Sequence, residues 1–340
     1  MNVLSLFDGM SCGQQALERT GIKVNNYFAS EIDKYAIKVT MANYPNTIQL
    51  GSVTEVNGYE LPKIDLLIGG SPCQSFSFAG KRKGMSTKDE QEILTLGHYL
   101  ELKSEGFEFE GQSYLFWEYM RLLTEVRSKN PNVFFLLENV EMGEKWEKVL
   151  SGAIGVNGIH INSALVSAQN RKRIYWTNIG MQPAGLFGDL ESIIEQPKDK
   201  GILLKDILED EVDEKYFLSQ EVQDRYKSID NKNYIGTTAP EFRTIGRRDV
   251  VYGDDNKVGC LLSTDYKQMK QVSVKYNDES CGQLASINSR IRRLTPIECE
   301  RLQTVADNYT NYVSDSQRYK MLGNGWTVDV IAHIFSYIYK

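Results

Sequence analysis

The sequence predicts an α/β fold, a mostly parallel doubly wound sheet accompanied by a smaller second domain. Three observations predict it. Apolar runs at residues 3–7, 27–30, 64–68 and 133–137 alternate with helix-prone segments, and no hairpin signal joins them. The turn Asp8-Gly9-Met10-Ser11-Cys12-Gly13 follows the first run and leads into a helical stretch at 14–19. Strand, glycine turn and helix form the first half of a nucleotide-binding βαβ unit. Between about residues 181 and 288 the texture changes: charge is high, strands are short, and Gly, Asp and Asn are scattered throughout.

Size and charge set outer bounds. A chain of 340 residues with 41% hydrophobic residues can bury a sizeable core, and no apolar run is long enough to span a membrane. No basic patch precedes an apolar segment at the start, so no secretory signal is expected. The five cysteines, at 12, 73, 260, 281 and 299, show no CxxC or Cys/His spacing. That argues against a metal site or a disulfide framework and for a reducing compartment. Only three histidines are present, which disfavours His-based catalysis. A net charge of −6 discourages a nucleic-acid partner unless basic residues cluster locally.

In chain order, the first turn has two readings. Its glycines allow a ligand close to the backbone and the helix start favours an anion, or it is an ordinary tight turn. The spacing Gly9-xxx-Gly13 is not G-x-G-x-x-G, so a nicotinamide dinucleotide is not favoured. Glu31 ends the second strand, placed either to bind ribose hydroxyls or to cap the helix at 33–42. A short strand at 47–50 precedes Gly51-Ser52-Val53. The run at 64–68 reads as a buried parallel strand; Gly69, Gly70 and Pro72 then force a sharp exit, which puts the Cys73 thiol at the carboxyl edge of the sheet. Lys81, Arg82 and Lys83 follow, either a solvated loop or a lid that touches phosphates. Residues 86–112 are charged and helix-prone, with no chemistry to assign. Residues 113–126 carry apolar side chains at helical spacing and read as a packing helix.

Glu138 closes the strongly apolar strand at 133–137. A carboxylate there is costly unless it has a partner or a task. Another strand is expected at 164–166. After it, Gln169, Arg171 and Arg173 alternate, which puts all three on one face of a strand; that face is a solvated edge or a site that reads an anion or a base. Residues 194–201 make a plausible linker. Arg243, Arg247, Arg248, Lys267 and Lys270 form a local basic excess, and Cys260-Leu261-Leu262-Ser263-Thr264 reads as a short strand. Thr295 is a good N-cap, with Pro296 at the first helical position and Glu298 one turn on. Gly323-Asn324-Gly325-Trp326 opens a C-terminal apolar helix and could form a second wall of the ligand site.

Taken together, Phe7-Asp8-Gly9, Pro72-Cys73-Gln74, Glu138-Asn139-Val140, Gln169-x-Arg171-x-Arg173, Arg292-Arg293-Leu294-Thr295-Pro296-Ile297-Glu298 and Gly323-Asn324-Gly325-Trp326 resemble the cytosine-C5 DNA methyltransferase family. Each segment is short. Their order over nearly the whole chain makes the signal specific. The resemblance implies a Rossmann-like methyltransferase domain over residues 1–185 and 291–340 and a target-recognition domain over 200–290. It implies S-adenosylmethionine as methyl donor, released as S-adenosylhomocysteine. By family position the cofactor would meet Phe7, Asp8, Gly9, Cys12 and Gly13 in the first turn. It would meet Glu31 and Ile32 after the second strand, Ser52 and Val53 in the third segment, and Pro72, Leu115, Asn324, Gly325 and Trp326. Where the third segment of the family carries an acidic residue, this chain has Ser52.

The resemblance also assigns the chemistry. Cytosine C5 is a poor nucleophile, and a Cys73 thiolate adding to C6 would activate it. Glu138 would protonate or hydrogen-bond N3, which requires its carboxyl to hold a proton. Arg173 would hold O2, and Arg171 would support the site. The thiol cannot reach C6 inside a stacked duplex, so the base must be flipped out. The loop after Cys73, with Gln74, Ser77, Lys81, Arg82 and Lys83, would close over double-stranded DNA, and Arg247, Arg248 and Lys267 would touch it from the smaller domain. The expected protein is a monomer without metal or membrane contact, in the cytoplasm of a prokaryotic cell or encoded by a phage, as in restriction–modification systems. Three competitors remain. A tRNA cytosine-C5 methyltransferase shares the Pro-Cys-Gln and Glu-Asn-Val segments. A non-catalytic regulator would be expected to lack Cys73 or Glu138. A nicotinamide oxidoreductase would carry the missing glycine fingerprint.

Overall fold

The computed structural model describes residues 1–72, 85–88, 91–184, 189–228, 234–238, 250–276 and 288–339. The described chain packs into two compact units, one of residues 1–161, 172–197 and 328–340, the other of 162–171 and 198–327.

The first unit is laid down as β1 (Asn2–Leu6), α1 (Cys12–Arg19), β2 (Asn26–Ser30), α2 (Lys34–Asn43), β3 (Ile48–Gln49) and β4 (Leu66–Gly70). Then come α3 (Leu96–Ser104), α4 (Leu115–Lys129), β5 (Phe134–Val140), α5 (Glu144–Ile154) and β6 (Ile159–Asn162). A two-residue strand, β7 (Gln169–Asn170), belongs to the second unit, and β8 (Lys172–Thr177) returns to the first, followed there by the antiparallel pair β9 (Met181–Ala184) and β10 (Asp189–Ser192). The seven-stranded sheet has the order β3-β2-β1-β4-β5-β8-β6. β1, β2, β3, β4 and β5 pair in parallel, and β8 runs antiparallel to β5. The α/β class and the mostly parallel sheet expected from the sequence are therefore observed. Strand order reverses between β1 and β4, the place where open α/β sheets hold ligands.

Alternation along the strands separates two faces. Leu4, Leu6, Leu67, Phe135 and Leu137 join α4 residues Phe116, Tyr119 and Leu123 in one core cluster. On the other face α1 presses so close that a Cβ on Gly13 would lie 2.4 Å from Ile68 Cδ1. Gly69 corrects the sequence reading. It does not end the strand; β4 runs through Gly70. A Cβ on Gly69 would lie 3.0 Å from the Leu6 carbonyl oxygen and 3.1 Å from the Tyr119 ring. This glycine lets α4 lie flat on the sheet.

In the second unit β11 (Lys227–Ser228), β12 (Gly236–Thr237), β13 (Val250–Gly253), β15 (Gln271–Tyr276) and β16 (Asn288–Arg293) form a five-stranded sheet in that order. The short helix α6 (Gln220–Gln223) precedes β11. β14 (Val258–Gly259) pairs with β7, and β15 pairs with β16. Helices α7 (Pro296–Leu302) and α8 (Asp315–Asn324) follow, and α9 (Val328–Phe335) returns to the first unit. The expected cap of α7 is present: Thr295 and Glu298 form a capping box, with Pro296 in the first turn. Glu298 is also gripped by Arg292 through Nη2–Oε1 at 2.6 Å and Nη1–Oε2 at 2.8 Å.

Three further expectations are corrected. Residues 164–166 do not form a strand; Ser163–Leu165 is a 3-10 turn whose cap Asn162 accepts from the Ala164 N–H. Residues 260–264 lie past β14, and Leu262 N–H bonds the Asp265 side chain rather than a neighbouring strand. Gly323 and Asn324 do not open the last helix; they end α8. A Cβ on Gly323 would lie 2.2 Å from the backbone carbon of Leu262, so α8 packs on bare main chain there.

Candidate active site

The first strand-end loop is held in unusual backbone geometry. Phe7, Gly9 and Ser11 have φ of 57°, 58° and 58°. Two of these are not glycine, and such residues stay left-handed only where their surroundings fix them. Here the Gly9 N–H donates to Glu31 Oε2 at 2.8 Å. The Asp8 carboxylate accepts from Tyr27 Oη at 2.8 Å and from Ser11 Oγ. Although Asp8 as a whole is only partly covered, its carboxyl turns inward. Burial pushes its pKa from 3.8 up to about 6, with Glu31 adding to the rise, against hydrogen bonds from Ser11, Ser5 and Tyr27 that lower it.

Glu31 sits just past β2 and organises the next loop. Its Oε1 accepts from the Ile32 and Asp33 N–H groups at 2.7 and 2.8 Å. Ile32 is 72% exposed, a large apolar side chain left in water at the carboxyl end of β2. A Cβ on Gly9 would meet nothing within 4 Å, so the loop has an open side there. Gly13 and Cys12 are different: Gly13 is required for packing, and Cys12 is buried in α1. Ser52 follows Gly51 and accepts from the Thr54 N–H at 3.3 Å. Val53 is buried and Leu115 half-buried at the start of α4.

Across the reversal in strand order lies the second cluster. Gly70 of β4 is the register partner of Glu138 of β5. Arg173 Nε lies 2.8 Å from Glu138 Oε1, the two side chains being 12% and 11% exposed. Register explains the pair. Glu138 faces Tyr175, and Arg173 lies two residues along the same face of β8. Next to Glu138, Asn139 donates from Nδ2 to Ser71 Oγ at 3.0 Å and to the Ser71 carbonyl at 3.3 Å. That bond anchors the chain at Ser71-Pro72, immediately before Cys73. Sequence reading named Asn139 only as part of a motif, and nothing local in the sequence announces its partner.

The alternation of Gln169, Arg171 and Arg173 is not one strand face. The strand breaks at Arg171, and Gln169 and Arg171 bond within the second unit. Buried Arg171 donates from Nη1 to Leu261 O at 3.1 Å and from Nη2 to Gly325 O at 2.8 Å, with Cys260 Sγ also 3.1 Å from Nη1. Gln169 Nε2 donates to Gln303 Oε1 at 2.9 Å, and Gln303 Nε2 donates to Leu322 O at 2.7 Å. Thr327 Oγ1 also donates to Gln303 Oε1 at 2.9 Å. These bonds fix the turn of Asn324, Gly325 and Trp326, of which Asn324 is exposed. Gln303 and Thr327 escaped sequence reading, because a buried amide hub has no local pattern.

The basic cluster needs correction as well. Lys270 is buried with its Nζ 3.3 Å from Asp265 Oδ2, so it is a core ion pair and not a surface charge. Lys267 is exposed beside the Tyr266 ring, 5.9 Å from its centroid. Cys73, Gln74, Ser77, Lys81, Arg82, Lys83, Arg243, Arg247 and Arg248 lie outside the described residues. Among the described residues no group of three or more His, Cys, Asp or Glu side chains is arranged to hold a metal ion, and no helix is long and apolar enough to cross a membrane.

Known proteins resemble the chain along its full length. The family model described as C-5 cytosine-specific DNA methylase matches residues 1–99 and 161–340. A type II methyltransferase of Lactococcus lactis subsp. cremoris, M1.ScrFI, is 29% identical over 97% of this chain and 75% of its own length. The type II methyltransferase M.NlaX of Neisseria lactamica is 28% identical over 98% of this chain and 94% of its own. Among solved structures, the Entamoeba histolytica methyltransferase EhMeth superposes with a TM-score of 0.66 at 16% identity, covering 100% of this chain and 98% of that one. At that identity the likeness speaks for the fold.

Proposed function

The chain belongs to the C-5 cytosine-specific DNA methylase family and methylates cytosine in DNA at C5, and from that premise we propose that Cys73, Glu138 and Arg173 carry the transfer. The observation that carries this reading is the Glu138–Arg173 pair beside Gly70, three residues before Cys73. A Cys73 thiolate adds to C6 of a flipped-out cytosine, and the ring becomes nucleophilic at C5. Glu138 donates a proton to N3 and Arg173 donates to the O2, where negative charge develops. After methylation a water takes the C5 proton, the C6–Sγ bond breaks to release Cys73 as thiolate, and the N3 proton returns to Glu138. Arg171 acts at one remove, by fixing the backbone around Gly325. Asn139 does the same for Ser71.

The methyl donor in this reading is S-adenosylmethionine, which when bound supplies an electrophilic methyl on its sulfonium. The strand-end residues fit such a group. Glu31 can offer its remaining acceptor capacity to ribose hydroxyls, exposed Ile32 offers an apolar face to a purine, and the open side of Gly9 admits a ligand to the backbone. Phe7, Asp8, Ser52, Val53, Pro72, Leu115, Asn324, Gly325 and Trp326 complete the proposed lining. Gly13 and Cys12 serve by packing α1 beneath it. Recognition of a particular double-stranded sequence is assigned to residues 200–290, with Lys267, Arg247 and Arg248 on the DNA side and Gln74, Ser77, Lys81, Arg82 and Lys83 near the flipped base. Two type II relatives from bacteria and an orphan relative from a Bacillus phage support a DNA-modifying enzyme of a bacterium or phage, of the kind found in restriction–modification systems; that it acts as a cytoplasmic monomer without metal is part of the proposal.

Bisulfite sequencing of DNA from cells expressing the protein tests the reading. It is expected to reveal 5-methylcytosine at one sequence motif, lost in Cys73→Ser while DNA binding persists. Equal loss of binding and turnover in that variant would make Cys73 structural. Transfer of labelled methyl to tRNA and not to duplex DNA would contradict the substrate.

A further inference from the structure

Helix α4 sends a fork of charge into the third cofactor segment. Arg121 Nη2 donates to the Val53 carbonyl at 3.0 Å and Nη1 to the Val56 carbonyl, also at 3.0 Å. Two carboxylates grip the same guanidinium: Nε donates to Glu118 Oε2 and Nη1 to Glu125 Oε1, both at 2.7 Å. Glu125 in turn accepts from the Gly58 N–H at 2.7 Å. A Cβ on Gly58 would lie 2.8 Å from Glu125 Cβ, so the loop can approach α4 only with glycine there. Residues 53–58 are thus held at three backbone points by one helix. Glu118 is fully buried, and its Oε1 accepts from Tyr99 Oη and Lys103 Nζ of α3. Helix α3, which lies in the stretch for which the sequence offered no chemistry, is therefore wired to the loop that carries Ser52 and Val53.

We propose that Arg121 is a positioning residue for the methyl donor: its fork across the Val53 and Val56 carbonyls sets the conformation in which the Ser52–Val53 backbone meets the ligand, and α3 stiffens that fork through Glu118. This rests on the assignment of Ser52 and Val53 to the cofactor site. With Ser52 where an acidic side chain could have made a contact of its own, backbone placement is what remains to give this segment affinity. A planar guanidinium reaches two carbonyls and two carboxylates at once. A lysine keeps the charge between Glu118 and Glu125 but cannot span both carbonyls.

The test is binding of S-adenosylhomocysteine by calorimetry, with steady-state kinetics on duplex DNA, for wild type, Arg121→Lys and Tyr99→Phe. Arg121→Lys is expected to raise the Kd about tenfold, the loss of one to two net hydrogen bonds. The KM for the methyl donor should rise alike, while kcat at saturating donor and the KM for DNA stay within about twofold. Amide exchange at residues 53–58 should quicken in the same variant while β4 and β5 remain protected. Tyr99→Phe should raise the Kd only about threefold, because the hydroxyl it removes touches the Glu118 carboxylate and reaches the Arg121 fork at one remove. An unchanged Kd in Arg121→Lys, with only a lower melting temperature, would overturn the proposal. Should that variant fail to fold, Tyr99→Phe decides: a raised Kd supports the coupling and an unchanged one overturns it. Failure of the wild-type protein to bind S-adenosylhomocysteine would instead refute the cofactor assignment itself.

Discussion

Glu138 with Arg173 and Arg292 with Glu298 are both arginine–carboxylate pairs, both drawn from motifs legible in the sequence. The first unit leaves its pair 11% and 12% exposed at a strand end. The second seals its pair at 2% and 0% and closes it further with a helix cap. The difference teaches that the same two side-chain types, each within a motif, can be left reachable at a strand end or sealed into the architecture. What separates the two is whether anything else can still reach them. Arg318 with Glu300, at 7% and 0% exposed, stands with the sealed pair. Lys270 with Asp265, at 2% and 1%, does too, although in sequence it belongs to the local basic excess.

The comparison can be broken by mutation. Glu138→Gln is expected to lower kcat about 10²- to 10⁴-fold, the range for a lost proton-transfer group, with the melting temperature nearly unchanged; wild-type turnover would remove its role. Arg292→Met should do the reverse. It leaves buried Glu298 unpaired, at about 3–5 kcal/mol of stability, visible in urea unfolding, while the folded fraction turns over normally. A large kcat loss in a stable Arg292→Met protein would erase the distinction between the pairs.

Gly323→Ala probes the second unit more finely. Its Cβ meets backbone and not a flexible side chain, so a loss of about 1–3 kcal/mol is expected. A smaller effect would show that α8 shifts freely.

The smallest effect belongs to Asp8. Its folded pKa of about 6 lies above the ordinary value of 3.8, so the folded state binds the proton more tightly than the unfolded one. Stability from this group is present in full below about pH 4 and is lost as pH rises through about 6. Asp8→Asn should therefore gain about 1–2 kcal/mol relative to wild type at pH 7.5, discounted for partial exposure, and less at pH 4.5. A gain that is equal at both pH values would mean that the Asp8 carboxyl does not titrate against the fold.

Much of this was legible beforehand, for identifiable reasons. Apolar runs fixed the strands of the first unit, because a parallel sheet covered on both faces must be continuously hydrophobic. The α7 cap was readable because capping is local. Gly69 was misread, since a glycine that admits Tyr119 looks in sequence like one that turns the chain. Arg171 was misread because alternation cannot reveal that a strand breaks and its side chain bonds carbonyls about 90 and 154 residues away. The Arg121 fork was invisible for the same reason: its partners are backbone atoms 65 and 68 residues upstream.

The central claim is that Cys73 bonds to C6 of an extruded cytosine while Glu138 and Arg173 attend the ring. Trapping tests it most directly: the enzyme is incubated with S-adenosylmethionine and a duplex whose target base is 5-fluorocytosine, which cannot lose a proton from C5. The account predicts a denaturant-resistant protein–DNA adduct, mapped by mass spectrometry to Cys73 and absent in Cys73→Ser. Methylation of ordinary DNA with no adduct on the fluorinated duplex, or an adduct at another residue, would contradict it.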